Sequence, residues 1–116
     1  MNSRAKGKRG ELAAVKAWKA AGYDAHRTQQ FCGKAGDSDV VVKALPWLHC
    51  EVKCVERLNI DDALAQAERD RQVNTLPIVM HKKNFTGWKV TMSFDDWLTV
   101  LHGDLPDEKE RKNKKT

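Results

Sequence analysis

The stretch from Gly36 to Val55 constrains the fold most, because it holds two short runs of strand-forming residues around a turn. The runs are Asp39–Lys43 and Trp47–Val55, and Pro46 marks the break between them. Valine, tryptophan and cysteine favour a pleated, half-buried surface. We therefore predict an antiparallel hairpin centred on Leu45.

The register of this hairpin gathers charge on one face of the sheet. Asp39 falls opposite Glu51, and because strand side chains alternate between faces, Lys53 shares their face. The other face carries less polar side chains, namely Leu48, Cys50, Val52 and Cys54. Two carboxylates beside apolar strands are costly to bury without compensation, and a divalent cation would supply it.

The length of 116 residues indicates one domain with a modest core. No apolar run approaches the roughly 20 residues of a membrane span, and Met1–Gly10 is basic with no apolar run after it, so we predict neither a membrane span nor a signal peptide. Three cysteines without a secretion signal favour a reducing compartment. We therefore predict a cytoplasmic protein.

The formal net charge of +5 is concentrated at the two ends of the chain. Residues 1–9 carry four bases and no acid, and residues 107–116 carry five bases and three acids. Basic ends on a nearly neutral centre suit a polyanionic partner such as nucleic acid. Solubility alone is the alternative interpretation.

The order of predicted elements is helix, strand, hairpin, helix, two strands and helix, which is typical of one mixed α/β layer structure. We expect a basic arm over residues 1–6, a folded domain over 7–102 and a disordered charged tail over 103–116. Around the hairpin, we predict a helix over Gly7–Ala21 ended by Gly22, a strand over Tyr23–Thr28, and a helix over Ile60–Val73 capped by Asn59. Strands over Leu76–His81 and Trp88–Met92 follow, and then a helix that begins at Ser93 and ends at Gly103. The face of this last helix that is predicted to pack on the domain carries Phe94, Trp97, Leu98 and Leu101.

The charged face of the hairpin suits metal-assisted hydrolysis of a phosphodiester. Mg²⁺ binds through one or two carboxylates plus substrate phosphate, so Asp39 and Glu51, with the Val52 carbonyl, are candidate ligands. A bound metal activates water and offsets developing charge, and Lys53 would orient or deprotonate that water or neutralise charge. The alternative interpretation is a half-buried hairpin with an exposed ionic face.

The cysteines allow a different hypothesis, a zinc site built from Cys32, His49, Cys50 and Cys54. No C-x-x-C pair is present, and strand alternation puts His49 on the face opposite the two hairpin cysteines. We therefore predict structural thiols instead.

The hairpin motifs resemble the PD-(D/E)xK nuclease superfamily, with Ser38-Asp39 in place of Pro-Asp and Glu51-Val52-Lys53 as the second motif. More narrowly, the chain is similar to archaeal-type Holliday junction resolvases and their phage-borne relatives. The matching stretches are G-K-R-G-E at Gly7–Glu11, G-Y-D-A-H-R at Gly22–Arg27, D-S-D-V-V at Asp37–Val41, H-C-E-V-K at His49–Lys53 and Q-A-x-x-D at Gln66–Asp70. The Gly/Ser-rich loop of the archaeal enzymes is replaced by Thr28–Gly36.

The resemblance implies a restriction-endonuclease-like core, with a central mixed β-sheet of about five strands flanked by helices. It also adds two residues to the site. The first is Glu11, which the resemblance places in the metal site. Its position in the predicted helix alone would indicate a solvated acid near the helix N-terminus. The second is Gln66, which the resemblance puts close to the site. It also implies Mg²⁺, with Mn²⁺ as a substitute, branched DNA as substrate and, if the protein is phage-encoded, a bacterial host cell. Neither a membrane nor a small-molecule cofactor is implied.

A four-way junction requires two symmetric nicks, so a chain with one site implies a homodimer. The candidate phosphate contacts are basic residues along the chain, namely Arg4, Lys6, Lys8, Arg9, Arg27, Lys34, Lys82 and Lys83. Two other hypotheses stay open: a related nuclease acting on nicked, flap or duplex DNA, and a DNA-binding accessory module without catalysis.

Overall fold

The computed structural model describes residues 3–28 and 38–106, and these form three helices and one five-stranded sheet. In chain order the elements are α1 (Ser3–Ala20), β1 (Ala25–Arg27), β2 (Val40–Val42), β3 (Leu48–Cys54), α2 (Ile60–Asp70), β4 (Leu76–Lys82), β5 (Lys89–Thr91) and α3 (Phe94–His102). This is the predicted order of elements. No helix in the described part of the chain is long and apolar enough to cross a membrane.

The sheet is mixed, as predicted, with strand order β1-β2-β3-β4-β5. Strands β3 and β4 are parallel, with α2 as the crossover between them, and the other neighbouring strands are antiparallel. Val40 pairs with Cys50, and the Leu45 N–H donates to the Val42 carbonyl at 2.9 Å in the turn. That register places Asp39 opposite Glu51, so the hairpin prediction is confirmed.

The two faces of the sheet are covered by different helices. Helix α1 packs on the face that carries the main core, which contains Ala14, Val15, Ala25, Val40, Val42, Cys50, Val52, Ile78 and Met80. Helix α2 covers the other face, where Ala63 and Ala67 pack against Val79. Because β3 alternates between these faces, its apolar side chains join the main core and its charged side chains turn towards the α2 side.

Helix α1 begins at Ser3, ahead of its predicted start at Gly7, so Ser3–Lys6 of the predicted basic arm are helical. Alanine, arginine and lysine are good helix formers, and they extend the helix across Gly7. The helix ends as predicted at Gly22, whose φ of 97° is a left-handed conformation. There the Tyr23 N–H donates to the Trp18 carbonyl at 3.0 Å.

Helix α3 has the predicted ends but not the predicted packing. The Ser93 side chain accepts from the Asp96 N–H, and Gly103 ends the helix with a φ of 75°. Its apolar stripe was expected to pack on the domain, yet Phe94 is 71% exposed, Trp97 47% and Leu101 59%. The predicted tail begins directly after this helix; its residues 107–116 lie outside the described residues.

Close packing of α1 on β3 depends on Gly10. A Cβ at this position would lie 3.1 Å from the Cys54 Sγ, whereas a Cβ at Gly7 would meet nothing within 4 Å. We expect Gly10→Val to lower the free energy of unfolding by about 1–3 kcal/mol, because the branched side chain forces α1 away from the sheet. Urea unfolding monitored by circular dichroism measures this change.

The matched control is Gly7→Val, which carries the same change in helix propensity without the contact. We expect its midpoint to stay at or above that of the unmodified protein. Equal midpoints for the two variants would contradict the close-packing argument.

Candidate active site

Asp39 lies at the point where β2 stops pairing with β3. Its N–H donates to the Cys50 carbonyl at 3.0 Å, and its side-chain Oδ2 accepts from the Val52 N–H at 2.9 Å. The carboxylate therefore stands where the next backbone carbonyl of the ladder would be. This bond fixes the Asp39 side chain against the middle of β3.

Glu51 is the buried acid of β3 and lies beside Asp39. The pKa of Asp39 is raised to about 7, first by burial and then by the neighbouring Glu51 carboxylate, against the lowering effect of the Val52 N–H. Glu11 adds a smaller effect in the same direction. The structure thus brings together the two carboxylates that the hairpin register predicted.

His49 is a site residue that the sequence analysis did not assign to the carboxylates. Its side chain is 1% exposed, and its Nε2 lies 2.7 Å from the Glu51 Oε1. Strand alternation was the available signal, because residues 49 and 51 point to the same face of β3. The sequence showed that they share a face but not that the two side chains meet.

Glu11 occupies the middle of α1 rather than an early turn, so its interpretation as an acid near the helix N-terminus is wrong. Its Oε1 accepts from the Arg27 Nε at 2.7 Å, and both side chains are partly buried. Arg27, a predicted phosphate contact, is thus engaged with a predicted metal ligand across the α1–β1 interface.

Lys53 and Gln66 differ in how closely the structure ties them to the carboxylates. Lys53 is half-buried on β3, two residues beyond Glu51 on the same face, and its partner on β4 is His81. Burial and the nearby Lys89 lower the pKa of His81, which also shares a 2.8 Å hydrogen bond with Thr91. Gln66 is exposed in the middle of α2.

The other predicted phosphate contacts lie on α1 and after β4. Lys6, Lys8 and Arg9 are exposed along the first half of α1, and Lys83 is exposed just after β4. The Lys82 Nζ lies 5.3 Å from the centroid of the Trp88 ring. The side chain of Arg4 and the whole of Lys34 lie outside the described residues.

No group of three or more His, Cys, Asp or Glu side chains within residues 3–28 and 38–106 is arranged to hold a metal ion. Glu11 is turned to Arg27 and Glu51 to His49. Mg²⁺ requires only one or two carboxylates plus substrate oxygens, so the Asp39–Glu51 pair fits its donor chemistry. The pKa of Asp39 is raised because burial and the neighbouring Glu51 disfavour its ionised form, and a bound cation would offset that penalty.

The zinc hypothesis receives no geometric support from the described residues. Cys50 is buried in the main core on the face opposite His49, and burial raises the pKa of its thiol to about 12. A thiol with that pKa stays protonated and is a poor metal ligand. Cys32 lies outside the described residues.

The mixed sheet, covered by helices on both faces and carrying an acidic pair on its hairpin, defines a restriction-endonuclease-like α/β fold. Among solved structures, the chain is similar to Hjc from Archaeoglobus fulgidus, a Holliday junction resolvase from an archaeal hyperthermophile. The TM-score is 0.52 at 21% identity, over 75% of this chain and 72% of that chain. The predicted fold and the similarity to archaeal-type resolvases are thereby confirmed. No family model and no curated protein matches the sequence.

The raised pKa of Asp39 predicts an unusual dependence of stability on pH. Between its ordinary value of 3.8 and about 7, the folded protein holds a proton that the unfolded chain has lost, so stability falls as pH rises through this range. Asp39→Asn removes this effect and keeps an acceptor for the Val52 N–H. In metal-free buffer at pH 8 we expect the variant to be more stable by about 1 kcal/mol or more.

Thermal unfolding of both proteins at pH 4 and pH 8 measures the effect. The advantage of the variant should shrink towards pH 4, and Mg²⁺ at pH 8 should stabilise the unmodified protein more than the variant. A constant difference at both pH values would contradict a raised pKa at Asp39.

Proposed function

We propose that this protein is a metal-dependent endonuclease that hydrolyses phosphodiester bonds in branched DNA, most specifically a Holliday junction resolvase. The observation that carries the proposal is the Asp39–Glu51 pair, in which the Val52 N–H fixes Asp39, on a fold shared with a Holliday junction resolvase. A buried carboxylate with a strongly perturbed pKa is a candidate for a functional site.

Asp39 and Glu51 would hold the metal, and Val52 is suited to add its carbonyl. The N–H and C=O of one strand residue point to the same side of the strand, so the Val52 carbonyl faces Asp39 as its N–H does. Mg²⁺, or Mn²⁺ in its place, would supply activation of water and neutralisation of charge on the phosphate. Glu11 is close enough to affect Asp39 and would join the site once released from Arg27.

Lys53 would act on the phosphate or on the attacking water. It follows Glu51 on the same face of β3, and its half-buried ammonium is a compact charge with three donors. An ammonium there stabilises the negative charge that develops on the phosphate oxygens or orients the water by hydrogen bonding. We therefore expect that the longer, forked arginine side chain would not fill this role.

The exposed bases of α1 would bind the DNA backbone. Lys6, Lys8 and Arg9 project from the same helix that carries Glu11, which links the phosphate contacts to the site. Such contacts position a duplex and carry no sequence information. Arg27 and Glu11 form an ion pair at 2.7 Å. Arg27 would therefore contact a DNA phosphate only after this ion pair breaks.

Cleavage assays on purified protein test this proposal. With Mg²⁺ we expect nicking of a four-way junction in preference to a flap, a nicked duplex and a linear duplex, and no nicking without metal. Glu51→Gln and Lys53→Arg should each lower the rate at least about 100-fold, because they remove a metal ligand and a point charge.

Glu68→Gln is the matched control, since it neutralises an exposed acid on α2 away from the hairpin. It should cleave as the unmodified protein does. Equal cutting of all four DNAs would identify a related nuclease with another substrate, and metal-independent junction binding without cutting would identify an accessory module.

We also propose that the protein acts as a homodimer, because a junction requires two nicks and each chain has one site. The apolar stripe of α3 supports this proposal: Phe94, Trp97 and Leu101 are exposed on one side of the helix, and Val90 on β5 is 57% exposed. Contiguous exposed apolar surface marks interaction sites. A second copy of this chain would bury that surface.

Sedimentation measures this assembly. We expect a dimer for the unmodified protein and a monomer for Trp97→Asp, because an unpaired carboxylate in the interface is costly to bury. Val73→Asp, at an exposed apolar residue beyond α2, should stay dimeric. A monomeric unmodified protein, or a dimeric Trp97→Asp variant, would contradict the assignment of the interface.

A further inference from the structure

His49 is the most deeply buried polar side chain of the site. It is 1% exposed, and its Nε2 lies 2.7 Å from the Glu51 Oε1. An ionised carboxylate only accepts hydrogen bonds, so the imidazole donates through Nε2 when Glu51 is charged. One oxygen of Glu51 is therefore occupied by a rigid donor, which leaves the other for a different partner.

Among residues 3–28 and 38–106, the polar contact of the His49 side chain is with Glu51. Its partner on β4 is Pro77, which has no N–H, and the hairpin register places Val41 on its other side. An apolar side chain would fill this position at lower cost than a buried imidazole. The histidine is therefore explained by its bond to Glu51 rather than by packing.

We propose that His49 is a positioning residue that fixes the Glu51 carboxylate for a divalent cation. This inference rests on the proposed function, because it assumes that Glu51 binds metal. The 2.7 Å bond holds the Oε1 of Glu51, and the Glu51 carboxylate is also hydrogen-bonded to Asp39. The Asp39 Oδ2 in turn accepts from the Val52 N–H. Hydrogen bonds to the protein therefore hold both metal-binding carboxylates in place.

The rival role is structural: two buried polar groups that satisfy each other. Both roles predict that loss of His49 lowers stability. Only the positioning role predicts that metal affinity falls as well, and that a replacement donor of similar reach restores it. Partners of this kind typically contribute about 10–100-fold to metal affinity.

Binding of Mn²⁺ to the full chain, measured by calorimetry without DNA, separates these roles. The variants are His49→Leu, which fills the space without a donor, and His49→Gln, whose amide can donate to Oε1. We expect His49→Leu to weaken Mn²⁺ binding by about 10–100-fold and His49→Gln to recover most of it. The binding that Asp39→Asn abolishes defines the site.

Cys50→Val is the matched control, because Cys50 is as deeply buried on the same strand but faces the main core. It should bind Mn²⁺ as the unmodified protein does. Equal affinity of His49→Leu and the unmodified protein would overturn the role of His49 and leave the proposed function intact. Absence of Mn²⁺ binding to the unmodified protein would instead contradict the proposed function.

A measurement on the unmodified protein covers the case in which His49→Leu does not fold. The Nε2 resonance of His49 should shift when diamagnetic Mg²⁺ is added, because the bonded carboxylate then shares its charge with the ion. The resonances of His26, which is exposed on β1, should stay in place. An unchanged His49 resonance at saturating Mg²⁺ would overturn the proposal.

Discussion

The hydrogen bond from the Val52 N–H to the Asp39 carboxylate is the contact on which the site depends. It replaces a rung of the β2–β3 ladder with a side chain, at the residue directly before β2. An acid is thereby held inside the sheet beside Glu51, where water cannot fully solvate either charge. The raised pKa of Asp39 follows directly from this placement.

The rest of the fold holds that pair in place and supplies its neighbours. Gly10 lets α1 approach β3 closely, and the next residue of the helix, Glu11, comes within electrostatic reach of Asp39. On the other face, His49 contacts Glu51. Arg27 engages Glu11, and His49 engages Glu51.

Much of the fold was predictable because its signals are local. The hairpin register followed from strand alternation around Leu45, and the caps at Asn59 and Ser93 followed from side chains that accept a backbone N–H three residues on. The start of α1 was missed because the good helix formers on both sides of Gly7 outweigh the low helix propensity of glycine. The exposure of α3 was missed because a helical apolar stripe does not reveal what covers it.

The site was predictable only in part, for a physical reason. The juxtaposition of Asp39 and Glu51 depends on backbone register, which the sequence encodes through alternation. The pairs Glu11–Arg27 and His49–Glu51 depend on rotamers, and the first also depends on how a helix packs on a distant strand. The resemblance to known nucleases identified Glu11 as a site residue. The contacts of Arg27 with Glu11 and of His49 with Glu51 were not predicted.

The central claim is that Asp39 and Glu51 form a charged pair poised for a divalent cation. Carbon-detected NMR titration of the Asp39 carboxyl group, with and without Mg²⁺, tests it most directly. The account predicts a pKa near 7 without metal and a fall of more than about one unit at saturating Mg²⁺. An ordinary pKa near 4 that Mg²⁺ leaves unchanged would contradict it.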